Sequence, residues 1–397
     1  MFSRRVPSDL SPNRLAQAVE DLRRSGRPIV DLTESNPTRV GFDYPADLLA
    51  PLADCRALTY APEPFGLREA RTAVSADYAR RGLAVPADRI MLTASTSEAY
   101  SLLFKILCDP DDEILIPRPG YPLFEHLARL EATVSQSYDL EYHARWSIDL
   151  AGLERKLTAR TRAVVLVTPN NPTGSLAAPE ELDAIAAMCA ARGVAIIADE
   201  VFADYEITPG AAQRGAQVLA RQDALIFGLG GLSKSAGLPQ VKLGWIAVAG
   251  PDAEVRDALA RLELAADTYL SVSTPVQVAA GKLLERGAAV RRQIQSRVVA
   301  NYRELMGQAA SVPSCHALHA DGGWYAVLRV PSLCSEEDLV LELLTENGVL
   351  VHPGYFFDFP EVPGESSLIA SLLAPESAFR SGVAAIFRHA GRKGDRR

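Results

Sequence analysis

The feature that most constrains the fold is a regular alternation of short apolar runs and helix-like segments between residues 89 and 199. A short apolar run bounded by turn residues is typical of a strand buried on both faces, and helices between such strands produce a parallel sheet. The sequence therefore predicts an α/β fold with a large domain, whose mostly parallel sheet is covered by helices on both faces. The runs are 89–92, 113–116, 163–167 and 194–198.

Distinctive polar residues directly follow these runs. The carboxyl ends of parallel strands meet at one edge of a sheet, where ligands bind. We therefore expect a binding site formed by the residues that come after each run, which in chain order are Ser95, Thr96 and Ser97, then Tyr121, Asn171 and Asp199.

A single lysine, Lys234, lies in a Gly/Ser-rich loop between two further apolar runs, 224–227 and 243–248. A lysine in a partly dry pocket loses its proton readily, and its amine can then form a Schiff base with a carbonyl compound. The alternative is a solvated lysine in a glycine loop. The loop alone does not decide between them, but the strand-end polar residues elsewhere favour the Schiff base.

Each strand-end residue also has a simpler interpretation. The hydroxyl cluster opens a helix, so it suits a phosphate group, but Thr96 or Ser97 could merely cap that helix. Asp199 could hold a proton on a heterocyclic nitrogen, or act as a cap or salt-bridge partner. Asn171 lies in an ordinary Asn-Pro-Thr-Gly turn, and Tyr121 could stack on a ligand or simply pack.

The remainder of the chain predicts a second, smaller α+β domain. After Pro251 the pattern changes to helices, including a long one marked by Val290 to Leu305, and then to mixed strands and helices. The N-terminal segment, with a helix within 8–25 and a strand near 29–32, is expected to join it. The predicted divisions are an N-terminal arm at 1–45, a large domain at 46–285 and a small domain at 286–397.

Composition excludes several classes of function. The net charge of −8, with acids and bases interspersed, argues against a nucleic-acid partner. The five cysteines are scattered without a Cys-x-x-Cys pair, which indicates reduced, buried thiols and no metal site. We find neither a signal-peptide pattern nor an apolar run long enough to span a bilayer. The sequence therefore predicts a cytoplasmic protein without a membrane partner.

Three motifs, in this order and spacing, resemble the class I and II aminotransferases, which are fold-type-I pyridoxal-phosphate enzymes related to aspartate aminotransferase. The motifs are 170–174, 198–202 and 233–239, and the resemblance extends from about Asp31 to about Leu373. It implies pyridoxal 5'-phosphate as cofactor. Lys234 resembles the lysine that holds it as a Schiff base and moves the proton, and Asp199 resembles the aspartate that pairs with the ring nitrogen. Asn171 resembles the asparagine on the ring oxygen, and Tyr121 the stacking aromatic residue.

The resemblance also implies a phosphate site and a homodimer. Lys242 stands where the family usually has a phosphate-binding arginine. Tyr60 resembles a tyrosine that reaches the phosphate in the partner subunit, which implies a homodimer with shared active sites. The hydroxyl residues of the implied phosphate site are Ser95, Thr96, Ser97 and Ser233.

The chain departs from the family pattern at three positions. Phe202 replaces a tyrosine that bonds the ring oxygen, so the tuning of the Schiff-base pKa is expected to differ. Gly231 replaces a serine, which removes one phosphate hydroxyl. Ile369 stands at the place of the arginine that usually clamps the substrate carboxylate.

Something else must therefore bind a substrate carboxylate. The candidates are Ser35, Asn36, Asn171 and Arg329. Period-2 counting puts Arg329 on the same strand face as Tyr325, although it could equally be a surface arginine. Arg39, Arg118, His352 and Ser371 are further, unproven candidates. The resemblance also implies that dicarboxylate-specific members carry a partner-subunit arginine near 267–271. This chain has no arginine there, which argues against recognition of aspartate or glutamate side chains in the way that those members achieve it.

The predicted function is transamination, in which an amino group moves between an amino acid and a 2-oxo acid through the Lys234 Schiff base. The same chemistry supports β-elimination, so a carbon–sulfur lyase is the alternative within this family. A non-catalytic protein that binds pyridoxal phosphate is the alternative from another class.

Overall fold

The computed structural model describes residues 2–332 and 334–394. Its helices are α1 Arg14–Arg24, α2 Arg68–Arg80, α3 Thr96–Leu107, α4 Leu123–Leu130, α5 Leu150–Lys156, α6 Pro179–Ala190, α7 Ala211–Arg214, α8 Leu232–Ser235, α9 Asp252–Tyr269, α10 Thr274–Ala309, α11 Glu336–Asn347 and α12 Glu376–Gly394. Its strands are β1 Val30–Asp31, β2 Ile90–Thr93, β3 Glu113–Arg118, β4 Val134–Tyr142, β5 Trp146–Ile148, β6 Thr161–Val167, β7 Ala195–Asp199, β8 Ile226–Gly231, β9 Gly244–Ala249, β10 His316–Ala317, β11 Tyr325–Pro331, β12 Val349–Leu350, β13 His352–Pro353 and β14 Glu365–Ser371.

The large sheet has eight strands in the order β2-β9-β8-β7-β6-β3-β4-β5. Its central pairs, from β8 through to β4, are parallel, as the alternating pattern predicted. Strand β9 runs antiparallel to both of its neighbours. The link from β8 to β9 comprises residues 232–243 and contains the short helix α8. The segment that carries Lys234 therefore joins two adjacent antiparallel strands.

Successive residues of the central strands face two separate cores. In β6, Val164 and Leu166 belong to the core beneath α2, α6 and α10. Ala163 and Val165 belong to the core beneath α3, α4 and α9. Because strand side chains alternate between faces, a strand covered on both sides must be apolar throughout. This explains why these strands read as continuous apolar runs.

The C-terminal part builds a smaller antiparallel sheet in the order β10-β11-β14-β13. The N-terminal segment joins it, because β1 pairs in parallel with β12 and Arg14 forms an ion pair with Glu337 of α11. The predicted fold class is therefore confirmed, including the contribution of the N-terminal segment. The domain limits stay a prediction, and the one at 285/286 falls inside the 36-residue helix α10.

Two features differ from the sequence-based expectations. Strands β4 and β5 form an antiparallel pair at the sheet edge, and the sequence did not predict them because their residues are largely half-exposed and form no continuous apolar run. Cys189 and Cys315 are buried, but Cys55 is exposed, so the expectation of buried thiols was wrong for Cys55. Within 2–332 and 334–394, no helix is long and apolar enough to cross a membrane, and no cluster of potential metal ligands occurs.

Candidate active site

A cavity of about 150 Å³ lies at the carboxyl edge of the parallel strands. The cavity brings together eight of the residues singled out in the sequence, which are Ser35, Thr96, Tyr121, Asn171, Asp199, Phe202, Ser233 and Lys234. They come from widely separated parts of the chain, and the topology of the sheet assembles them.

The loop that carries Lys234 is fixed by hydrogen bonds to its backbone carbonyls. Tyr205 Oη donates to the carbonyl of Lys234, and Arg291 Nη1 donates to that of Ser235 at 3.1 Å. Tyr44 Oη donates to the carbonyl of Gly237 at 2.6 Å. Gly237 has φ of +64°, a conformation that glycine adopts without strain. The loop is therefore held from three directions, which limits the positions open to the lysine.

The side chain of Lys234 is half-buried, and its Nζ lies between aromatic rings. It is 4.7 Å from the centroid of the Trp324 ring and 5.5 Å from that of Phe202. Loss of hydration lowers the pKa of Lys234 to about 8, while attraction to the Asp199 carboxylate opposes this change. A substantial fraction of the amine is therefore neutral near physiological pH, which a nucleophilic lysine requires.

Asp199 ends β7 and is 8% exposed. Its Oδ2 accepts a hydrogen bond from Tyr100 Oη at 2.9 Å, and its Oδ1 accepts one from the Val201 amide at 3.2 Å. Burial raises the pKa of Asp199, whereas these two bonds and the charge of Lys234 lower it. The carboxylate is therefore a buried, oriented acceptor at the cavity wall and has no salt bridge within 4.0 Å among the described residues.

The hydroxyl cluster divides between two roles. Ser95, not Thr96 or Ser97 as predicted, is the cap of α3, since its Oγ accepts from the Glu98 amide at 3.1 Å. Thr96 lines the cavity at the first position of the helix. A Cβ on Gly244 of β9 would lie 2.9 Å from the backbone of Ser95. Only glycine lets β9 approach the helix N-terminus this closely.

Asn171 belongs to the turn that follows β6. Its Oδ1 is buried at the cavity and has no hydrogen-bond partner in the described chain. Buried polar atoms normally have partners, so this oxygen has acceptor capacity left over at the cavity. The neighbouring Asn170 maintains the turn, because its Oδ1 accepts from Thr173 Oγ1 at 2.9 Å.

The sequence missed several residues of the site. Tyr325 lines the cavity, and burial raises its pKa to about 12, so the hydroxyl stays protonated at neutral pH. Trp324 packs edge-on to Phe202, with ring centroids 5.4 Å apart. Tyr100 lies one helical turn before Phe104 on the buried face of α3. The sequence signal that could have identified Tyr100 is a hydroxyl-bearing residue on an otherwise apolar helix face.

Six predicted residues do not line this cavity, and one of them is Ser95, the cap of α3. Ser97 and Asn36 lie beside residues that do, and Asn36 Oδ1 accepts from the Thr38 amide at 3.0 Å. Lys242 is exposed and has φ of +59°. Tyr60 is 73% exposed and borders a different cavity together with Tyr269. The sixth, Arg329, is treated next.

Arg329 is neither in the cavity nor a surface arginine. Its guanidinium lies 5.7 Å from the Tyr142 ring centroid, and its Nε is buried without a hydrogen-bond partner among the described residues. It lies four steps along the strand from Tyr325, a distance of roughly 13 Å at the usual rise.

Ile369 is completely buried and pairs with Val327 and His352 in the small sheet. It packs in an apolar cluster with Val327, Phe357 and Phe359. Lys234 is the one cationic side chain among the described residues that line the cavity. A substrate carboxylate in this subunit would therefore meet hydroxyl and amide donors instead of a guanidinium.

The further candidates for binding a substrate carboxylate either contact other residues or are exposed. Arg118 Nε bonds Asp139 at 2.7 Å, and the Ser371 hydroxyl donates to the carbonyl of Glu34 at 2.7 Å. His352 packs against Phe357, and burial lowers its pKa. Arg39 is exposed.

Comparison with known proteins supplies the family. The model of the family "Aminotransferase class I and II" matches residues 29–368. The glutamate-pyruvate aminotransferase AlaA of Haemophilus influenzae is 26% identical over 348 residues, which cover 85% of each chain. The alanine aminotransferase of Mycobacterium tuberculosis is 28% identical over 363 residues, with 87% of this chain and 82% of that protein covered.

The fold matches solved structures along its whole length. An alanine aminotransferase from Pyrococcus furiosus superposes with a TM-score of 0.86 at 22% identity, covering 99% of this chain and 100% of that one. The family match spans most of the chain, and its lysine, aspartate and asparagine motifs converge on one cavity. The chain therefore belongs to the class I and II aminotransferase family.

Proposed function

We propose that this protein is a pyridoxal-phosphate-dependent aminotransferase that moves an amino group between an amino acid and a 2-oxo acid. The observation that carries the proposal is the pairing of Lys234 and Asp199 in one cavity. A desolvated amine with a pKa of about 8 faces a buried carboxylate whose protonation responds to its charge. A solvated lysine in a glycine loop would show neither feature.

The residues of the cavity fit the cofactor. Lys234 supplies the amine for its aldehyde, and Asp199 supplies an acceptor for a ring-nitrogen proton. The buried Oδ1 of Asn171, which has no partner among the described residues, offers an acceptor to a polar group of the cofactor ring. The amide end of α3, with Thr96 and the close-packed Gly244, offers a cradle for a phosphate.

When bound, the cofactor supplies an electron sink that makes the α-hydrogen of an amino acid acidic. The protein's own residues would do the rest. Lys234 Nζ accepts the α-proton and returns a proton in the reverse direction. Asp199 keeps the ring nitrogen protonated. Trp324, Phe202 and Tyr325 limit the access of water to Lys234.

We further infer a homodimer with shared active sites, in which Tyr60 contacts the phosphate bound in the partner subunit, together with Lys242 and Ser233 as local phosphate contacts. The strong exposure of Tyr60 and its neighbour Leu58 supports an interface there. We also propose that the protein acts in the cytoplasm, without nucleic-acid or membrane partners.

The test uses the purified, cofactor-loaded protein with alanine, glutamate, aspartate, tyrosine and other amino acids, each paired with pyruvate or 2-oxoglutarate. We expect formation of the cognate 2-oxo acid and amino acid in equal amounts. With cysteine and 2-oxoglutarate, release of pyruvate, ammonia and sulfide without amination of the 2-oxoglutarate would instead identify a carbon–sulfur lyase. Cofactor binding without any product from the amino acids would favour a non-catalytic protein. The Lys234→Ala variant is the control and should be inactive.

A further inference from the structure

We propose that Tyr100 is a positioning residue for the reaction: its hydroxyl orients Asp199 so that the carboxylate presents a free edge to the cavity. The proposal rests on the proposed function. Its structural basis is the 2.9 Å hydrogen bond from Tyr100 Oη to Asp199 Oδ2, which joins α3 to the end of β7. Tyr100 does not line the cavity, so it acts through Asp199 and does not contact the substrate.

The direction of the bond follows from the surroundings. Tyr100 is 2% exposed, and Asp199 is its one hydrogen-bond partner in the described part of the chain. A buried hydroxyl next to a carboxylate must donate its proton to it. The Tyr100 pKa lies well above its ordinary value, because burial and the charge of Asp199 both disfavour the phenolate. The hydroxyl therefore remains a donor across the working pH range.

The position of the Tyr100 ring is fixed by aromatic packing. It lies edge-on to Phe124 with centroids 5.3 Å apart, and tilted against Phe104 at 5.9 Å. Phe124 in turn lies edge-on to Tyr121 at 5.7 Å. The carboxylate is thus anchored to the same aromatic cluster that carries Tyr121 at the cavity. One rigid group sets the positions of both residues relative to a bound ring.

The second anchor of Asp199 is on its other oxygen. The Val201 amide donates to Oδ1 at 3.2 Å, so each oxygen accepts one bond from the protein. The carboxylate can neither rotate nor retract without breaking one of them. Each oxygen keeps further acceptor capacity, and this is what a protonated ring nitrogen would use.

The bond also favours the charged form of the carboxylate. Burial raises the pKa of Asp199, whereas the hydrogen bonds from the Val201 amide and the Tyr100 hydroxyl and the charge of Lys234 lower it. The negative charge of Asp199 in turn helps to raise the pKa of Glu200 and of Tyr121. Removing the Tyr100 hydroxyl therefore raises the pKa of Asp199 further.

The first test is Tyr100→Phe, with Tyr138→Phe as the matched control. Tyr138 is also fully buried, but its hydroxyl donates to the Val165 carbonyl at 2.8 Å. Because Tyr100→Phe removes a hydrogen bond to a charged group, we expect kcat to fall about 10- to 100-fold in this variant. KM should change little, and the acidic limb of the kcat profile should move to higher pH. Tyr138→Phe should leave the pH profile unchanged.

The second measurement uses the cofactor-free protein and needs no activity. An acid whose folded-state pKa is raised loses stability as pH rises from its unfolded pKa to its folded one. Tyr100→Phe enlarges this loss, so its decrease in Tm should be greater at pH 8 than at pH 5. For Tyr138→Phe the decrease should be the same at both pH values, because a backbone carbonyl does not titrate.

A third variant guards against misfolding of Tyr100→Phe. Site-specific replacement of Tyr100 by 3-fluorotyrosine keeps the ring and makes the phenol a stronger donor, so the acidic limb should move to lower pH. The proposal is wrong if the wild-type protein transaminates but neither substitution moves that limb relative to Tyr138→Phe. If the wild-type protein transaminates no substrate pair, the proposed function fails, while the Tm comparison still reports on the bond.

Discussion

Lys234 Nζ lies 4.7 Å from the centroid of the Trp324 ring, so this amine nitrogen is in contact with an aromatic face. An aromatic face stabilises a cation, whereas loss of water destabilises it. The second effect dominates here, because the pKa of Lys234 is lowered to about 8. The contact therefore keeps the amine dry while retaining part of the attraction for its protonated form.

The first prediction concerns the pH dependence of cofactor capture. The neutral amine is the nucleophile, and the neutral fraction of Lys234 rises as pH passes through its lowered pKa of about 8. Trapping of pyridoxal phosphate on the cofactor-free protein, followed by borohydride reduction and peptide mass spectrometry, should accelerate between pH 7 and 9 and then level off. A rate at Lys234 that keeps rising beyond pH 10 would show that its amine is not desolvated. Lys234→Ala controls for capture elsewhere.

The second prediction concerns Lys234 and stability. The ordinary lysine pKa of 10.5 applies in the unfolded chain, and the folded value is about 8. The unfolded chain therefore binds more protons between these values, so the free energy of unfolding should rise with pH in this window. Urea unfolding of the cofactor-free wild type and of Lys234→Met, compared at pH 7.5 and 9.5, should show a larger gain for the wild type. Equal gains would contradict the lowered pKa.

The third prediction tests the shared active site. In the proposed homodimer, Tyr60→Ala and Lys234→Ala would each damage both sites. In a hybrid dimer, one site carries both changes and the other is intact, provided that Tyr60 serves the partner's site. Random mixing should restore about a quarter of the wild-type activity. Activity that never exceeds the sum of the two separate variants would place Tyr60 outside the partner's site.

The fourth prediction concerns Ile369. Its side chain is fully buried between Val327 and the Phe357–Phe359 cluster. Ile369→Ala should therefore lower the free energy of unfolding by about 2–5 kcal/mol, from lost burial and an unfilled cavity. Val362, which is 39% exposed, provides the control, and Val362→Ala should stay within about 0.5 kcal/mol. Urea unfolding with an unchanged m-value measures both. If Ile369→Ala lowers the free energy of unfolding by less than about 0.5 kcal/mol, the packing of this cluster does not depend on the Ile369 side chain.

The parallel sheet and the site edge were predictable because both depend on local sequence. Continuous apolar runs identify strands buried on two faces, and the residues after them must lie at one edge, as Asn171 and Asp199 do. The antiparallel direction of β9 was not predicted, because the twelve-residue link 232–243 is long enough for either strand direction. Capping geometry was less accessible, since Ser95, Thr96 and Ser97 have similar capping propensities.

What the sequence could not supply are contacts between residues distant along the chain. The partner of Tyr100 is 99 residues away, and nothing local to α3 identifies it. The alternating pattern correctly placed Arg329 on the face of Tyr325, but the distance along β11 separates it from the cavity. Phe202 was recognised as a departure, while its packing against Trp324 required the small domain.

The last prediction concerns the tether between the N-terminal segment and the small sheet. The Ser371 hydroxyl donates to the carbonyl of Glu34 at 2.7 Å, and its amide donates to that of Leu32 at 2.7 Å. Ser35, next to Glu34, lines the cavity. Ser371→Ala leaves the Glu34 carbonyl without this donor, so it should cost about 1–3 kcal/mol. Because Ser35 is then less firmly held, we expect KM for the amino acid to rise more than kcat falls.

The control for this tether is Ser366→Ala, a change at another buried serine of β14. Urea unfolding and steady-state kinetics of both variants separate general loosening of the strand from loss of the tether. If Ser366→Ala raises KM as much as Ser371→Ala does, the effect comes from the strand. If Ser371→Ala loses stability while KM stays constant, Ser35 is positioned by other contacts and the proposed link from Ser371 to the substrate site is wrong.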